Sequence, residues 1–247
     1  NDDFIVEDHP QFNKLIDEIE NSKVQYLFTM GKGGVGKTTV ATQLATALSN
    51  KGYRVLLATT DPTKEINVET TSNLNTAYID EEQALEKYKK EVLATVNNDT
   101  PQDDIDYIME DLKSPCTEEI AFFKAFSDIM ENQEDMDYVI IDTAPTGHTL
   151  LLLDSSENHH RELKKKSTQT TSNVETLLPK IQNKNLTQMI IVTLAEKTPY
   201  LESKRLVEDL NRANIGHNWW VVNQSLVTLN QRDDLFNNKK EDESFWI

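Results

Sequence analysis

The run Gly31-Lys32-Gly33-Gly34-Val35-Gly36-Lys37-Thr38-Thr39 constrains this chain more than any other part of it. It fits the pattern of glycine, four residues, glycine, lysine, then serine or threonine that wraps a polyphosphate. The whole chain holds only 7 glycines, and Gly31, Gly33, Gly34 and Gly36 fall within a stretch of six positions. This is placement rather than composition. Backbone N–H groups that surround an anion must approach it closely and turn with positive φ, which residues without a Cβ do with least strain. In such a loop Lys37 brings a point charge to the β- and γ-phosphates and Thr38 offers a hydroxyl to Mg²⁺. The helix beginning there aims its positive end at the anion.

The flanks agree with the loop. Val24 to Phe28 is an apolar run that predicts a buried strand, and Thr38 to Asn50 predicts a helix with Val40, Leu44 and Leu48 on its inner face. Gly52 stops that helix, and Arg54 to Thr59 predicts a second strand ending in Thr60-Asp61-Pro62. Asp61 then stands at the rim where ligands of open α/β sheets bind. Tyr138 to Ile141 predicts a third strand running into Asp142, the Walker B pattern that sets a carboxylate beside Mg²⁺ or its water shell. Met189 to Thr193, a helix from about Tyr200 to Ala213, and the strand Trp219 to Asn223 follow. The Asn223 amide both donates and accepts, as pairing with an adenine edge requires. Phe12 to Ile19 reads as a short helix, residues 1–10 as a linker or tail, and Phe245 to Ile247 as the start of one more strand. Residues 80–134 are charged, glycine-free and helical in period, with breaks at Thr100-Pro101 and Ser114-Pro115. They predict a helical insertion outside the sheet. The expected fold is an α/β P-loop NTPase over 1–247, a single domain with a mainly parallel sheet flanked by helices.

A net charge of −17 disfavours nucleic acid and anionic membrane surfaces as partners. The chain has no apolar run near the roughly 18 residues that cross a bilayer, and it carries no N-terminal signal pattern. The expected location is cytoplasmic, with any membrane role exercised through a partner. One cysteine, Cys116, forbids an intrachain disulfide. It follows Ser114, read as a helix cap, and Pro115 at the first helical position, so the helix dipole favours its thiolate. A lone cysteine is, however, more often a small core hydrophobe than a reactive thiol. His159 and His160, lacking a second cluster, read as a solvated helix face.

Lys32, a second lysine within the loop, makes it resemble the deviant Walker A loop of the dimeric ATPases that include nitrogenase iron protein. Asp142 to Thr149 carries the further signature of the arsenical pump-driving ATPase family, and the resemblance extends to Asp61-Pro62, Ser114 to Glu119, Val192 to Leu194 and Val222 to Gln224. It is most like the family's C-terminal half, which implies an isolated second half with Asn1 to Asp8 derived from the inter-half linker. The resemblance implies ATP and Mg²⁺ as cofactors, Gly31 to Thr39 around the phosphates, Thr38 on the metal and Asp142 holding its water shell. It makes Asp61 the group that positions and deprotonates the attacking water. Lys32 would stabilise charge across an interface with a second ATPase half, supplied in tandem or by a homodimer, and Asn223 would contact adenine. Ser114, Cys116 and His148 match metalloid positions for arsenite or antimonite, exported through an integral membrane channel.

An alternative function on the same resemblance is a targeting ATPase for tail-anchored membrane proteins. The zinc pair carried by eukaryotic members of that group is impossible with one cysteine. A partitioning or division-site ATPase would need an amphipathic membrane helix or a DNA-binding patch, and neither is visible. Thr63-Lys64-Glu65 after Asp61-Pro62, and Ala195 where proline is common, depart from the family pattern. So do the passages around 71–80 and 242–247 and the missing proline-bearing adenine loop.

Overall fold

Short apolar runs rich in Val, Ile, Leu and Phe form the strands of one sheet, and the longer periodic segments cover it. The computed structural model describes residues 10–59, 72–97, 100–131, 133, 135–142 and 178–225. The strands are β1 Tyr26–Met30, β2 Val55–Thr59, β3 Leu74–Tyr78, β4 Tyr138–Asp142, β5 Thr187–Leu194 and β6 Trp219–Asn223. They lie in the order β3-β2-β4-β1-β5-β6, and every pairing is parallel. Parallel strands buried on both faces read as continuous apolar runs, as the central four do here.

Alternate side chains serve two cores. Tyr26, Phe28, Leu56, Ala58, Val139, Ile141, Met189 and Ile191 point to one face. Leu27, Val55, Leu57, Tyr138, Ile140, Ile190 and Val192 point to the other. The second face is covered by α1 (Pro10–Ser22) through Ile16 and Ile19, and by α2 (Lys37–Asn50) through Val40, Ala41, Leu44, Ala45 and Leu48. The first is covered by α5 (Pro115–Glu131) through Phe126 and Met130, and by α6 (Lys197–Arg212) through Leu210. Phe126 meets Phe28 and Phe122 edge-on, with centroids 6.2 and 4.5 Å away. Between β3 and β4, α3 (Glu81–Ala94) and α4 (Gln102–Asp111) precede α5, and neither has a buried residue. Lys87 bonds Asp128 at 2.6 Å, and Lys124 pairs with Glu91, so α3 is tied to α5 by charge.

This is the α/β architecture that the phosphate loop predicts. β3 is the element that the strand reading missed, and Tyr138–Asp142 is therefore the fourth strand. Only Leu74 of β3 is buried, because an edge strand pairs on one side and needs few apolar residues. β1 starts two residues later than its apolar run suggests, and α1 extends beyond Phe12 to Ile19 at both ends. No helix among the described residues is long and apolar enough to cross a membrane. Asp61, Thr143 to Thr149 with His148, and Phe245 to Ile247 lie outside the described residues.

Candidate functional site

The site begins where β1 ends. A Cβ at Gly31 would lie 2.1 Å from the carbonyl oxygen of Val192, so the backbone of β5 leaves room for nothing but glycine. Five residues on, Gly36 caps α2 with φ 91° and ψ 29°, a left-handed conformation that glycine adopts without penalty. Gly36 supplies no side-chain cap and the first turn of α2 carries no acidic residue, so the positive end of the helix faces the loop without a built-in counter-charge.

Lys37 arches back over the loop, its Nζ donating to the carbonyl of Lys32 at 3.2 Å. Burial pushes its ammonium below the usual lysine range, and the negative charge of Asp142 opposes that shift. A partly dehydrated ammonium gains more from an arriving anion than a hydrated one does. Asp142 ends β4 and is 1% exposed. Register places Thr29 of β1 and Thr59 of β2 directly beside it. Thr59 Oγ1 donates to Asp142 Oδ2 at 3.2 Å, and Thr29 Oγ1 reaches Oδ1 at 3.4 Å. These hydroxyls satisfy the carboxylate without neutralising it.

Mg²⁺ prefers phosphate oxygens and waters with one or two protein oxygens rather than a protein cage. The residues present fit that demand: a half-buried Thr38 in the first turn of α2, and a buried, hydroxyl-supported carboxylate at the neighbouring strand end. Among the described residues no group of three or more His, Cys, Asp or Glu could hold a metal ion.

Lys32 is exposed, and its Nζ meets Glu202 Oε1 of α6 at 3.1 Å. Asn223 ends β6, opposite Leu194 of β5. Its Nδ2 donates to the carbonyl of Val35 at 2.9 Å, while Oδ1 accepts from the N–H of Gln224 at 3.0 Å. The structure thus brings Lys32, Lys37, Thr38, Asp142 and Asn223 together around one loop. Ser114 directly precedes α5 and Cys116 is in its first turn, as the Ser-Pro pattern requires. Sequence reasoning overlooked Thr29, Thr59 and Glu202. The available signal for the threonines was a hydroxyl residue near the end of an otherwise apolar strand. Glu202 carried none, being one charge among many on an amphipathic helix.

A family profile described as anion-transporting ATPase matches residues 24–180 and 157–247. The chain is 39% identical over 240 residues to an arsenical pump-driving ATPase of Escherichia coli, covering 96% of this chain and 41% of that protein. It is 40% identical over 233 residues to an arsenical pump-driving ATPase of Acidiphilium multivorum, covering 93% and 40%. Similarity reaches the ATPase GET3 of Meyerozyma guilliermondii at 28% over 265 residues, covering 86% of this chain and 76% of that protein. The chain spans about two-fifths of the length of these two arsenical pump-driving relatives.

Proposed function

This chain belongs to the anion-transporting ATPase family, and from that premise we propose that it hydrolyses MgATP to drive arsenite or antimonite export through a membrane partner. The observation that carries the ATPase reading is the convergence of Lys37, the open helix end at Gly36 and the buried Asp142 on one sheet rim. The export reading draws on similarity to arsenical pump-driving ATPases and on the Ser114 to Glu119 segment.

In this reading the amides of Gly31 to Thr39 and the Lys37 ammonium bind the phosphates. Mg²⁺, when bound, neutralises charge on the phosphate oxygens, with Thr38 as a ligand and Asp142 holding its water shell. Asp61 orients and deprotonates the attacking water, and Asn223 reads the adenine. Lys32 leaves Glu202 to stabilise charge in a facing ATPase half, in tandem or as a homodimer. An ion pair this exposed gives way at a cost of less than about 1 kcal/mol. Cys116, His148 and Ser114 form this chain's share of a metalloid site. A soft trivalent ion wants more than one sulfur, so the facing half completes it. The protein acts in the cytoplasm, docked on its membrane partner. A second reading, targeting of tail-anchored membrane proteins, is favoured by the apolar side chains Tyr107 and Met109, which α4 leaves 64% and 42% exposed.

Lys37→Ala is expected to weaken MgATP binding by at least about 100-fold, since charged hydrogen bonds to the phosphates disappear. Asp61→Asn is expected to keep binding and lower hydrolysis by about 100-fold or more. Equal loss of binding in both would overturn the division of roles. Antimonite should stimulate hydrolysis in the wild type and not in Cys116→Ser; an apolar peptide that stimulates where antimonite does not would favour the targeting reading.

A further inference from the structure

Val35 is 1% exposed, and its carbonyl lies just before the ladder of α2, which starts with Val40 N–H donating to the carbonyl of Gly36 at 3.0 Å. A buried carbonyl outside a ladder needs a donor from elsewhere in the fold. Asn223 Nδ2 supplies it at 2.9 Å, from a residue 188 positions away. The bond from Gln224 N–H to Asn223 Oδ1 fixes which end of the amide faces the loop. Gly36 completes the arrangement, because a Cβ there would stand 2.2 Å from the same Nδ2.

The peptide joining Val35 to Gly36 is planar and trans, so its C=O and N–H point to opposite sides. Holding the carbonyl toward β6 therefore turns the Gly36 N–H away from Asn223. That amide is one of those that the glycine-rich loop offers to an anion. We propose that Asn223 is a positioning residue for phosphate: it sets the loop's amide geometry through Val35, in addition to any contact with a base. The proposal rests on the reading of Gly31 to Thr39 as the phosphate site. It makes the base end and the phosphate end of the site mechanically one unit.

Inorganic tripolyphosphate with Mg²⁺ separates the two roles, since it has no base to read. Its affinity for the wild-type chain, measured by calorimetry, tests the loop itself; absence of binding there would remove both the reading and the proposal. Given binding, Asn223→Asp keeps the side-chain volume and the acceptor for Gln224 N–H but removes the donor to Val35. Asn223→Ala removes both without adding charge. Tripolyphosphate affinity is expected to fall about tenfold in Asn223→Ala and further in Asn223→Asp, with a thermal midpoint close to wild type in at least one of them. Wild-type tripolyphosphate affinity in a folded variant, whether or not ATP binding weakens, would overturn the positioning role. Should Asn223→Ala fail to fold, the same titration of Asn223→Leu, which keeps the branched side-chain shape without a donor or a charge, decides between the two outcomes.

Discussion

The phosphate loop and the helices α3 and α4 hold their shapes on opposite terms. In the loop and its rim, the partners are remote in sequence: Gly31 against Val192, Val35 against Asn223, Asp142 against Thr29 and Thr59. In α3 and α4 the caps and side-chain pairs along each helix are local, with charge pairs to α5 as the remote ties of α3. Asp80 caps the N–H of Gln83 at 3.0 Å, Lys90 pairs with Glu86 one turn away, and Gln102 bonds Asp106. Neither helix buries a residue. A segment specified by distant contacts tolerates almost no change of shape, whereas one specified by its own turns tolerates most changes on its surface.

The contrast predicts a graded response to substitution. Gly31→Ala should be the most damaging: the new Cβ meets backbone rather than a flexible side chain, and overpacking of this kind costs about 3 kcal/mol. For a chain of this size that is a drop of roughly 10 °C in thermal midpoint. A midpoint within a degree of wild type would break the comparison at its strong end. Thr59→Val keeps the shape of the side chain but strips the buried Asp142 carboxylate of a donor, for about 1–3 kcal/mol in urea unfolding. A loss confined to MgATP affinity, with stability intact, would show that Asp142 finds a replacement donor. Tyr107→Ser on α4 should change stability by no more than about 0.5 kcal/mol, because the residue is 64% exposed. A larger loss would mean that α4 is held by more than its own turns.

Much of the sheet was legible in the chain. Leu27 to Met30, Val55 to Thr59, Val139 to Ile141 and Met189 to Val192 are buried without interruption and almost wholly apolar, the pattern of strands covered on both faces. β3 was not legible, since at an edge a single buried leucine suffices. The loop residues announced themselves by spacing, because phosphate chemistry admits few residue types at those positions. Their supports did not. Thr29, Thr59 and Glu202 are ordinary residues brought to the rim of the loop by strand register and by the ion pair between Lys32 and α6.

The class of this chain therefore follows from local chemistry alone. Four glycines within six positions, a lysine and threonine behind them, and an aspartate closing an apolar run allow few folds and few ligands. Whatever depends on two distant segments meeting was left to the packed molecule. Asn223 is legible as a polar residue at a strand end, but its bond to Val35 exists only because β6 lies beside β5 and β5 beside β1. Spacing along a chain reports the periodicity of a helix or strand. It carries no term for which strand becomes whose neighbour, and that choice follows from how the whole apolar surface is buried at once.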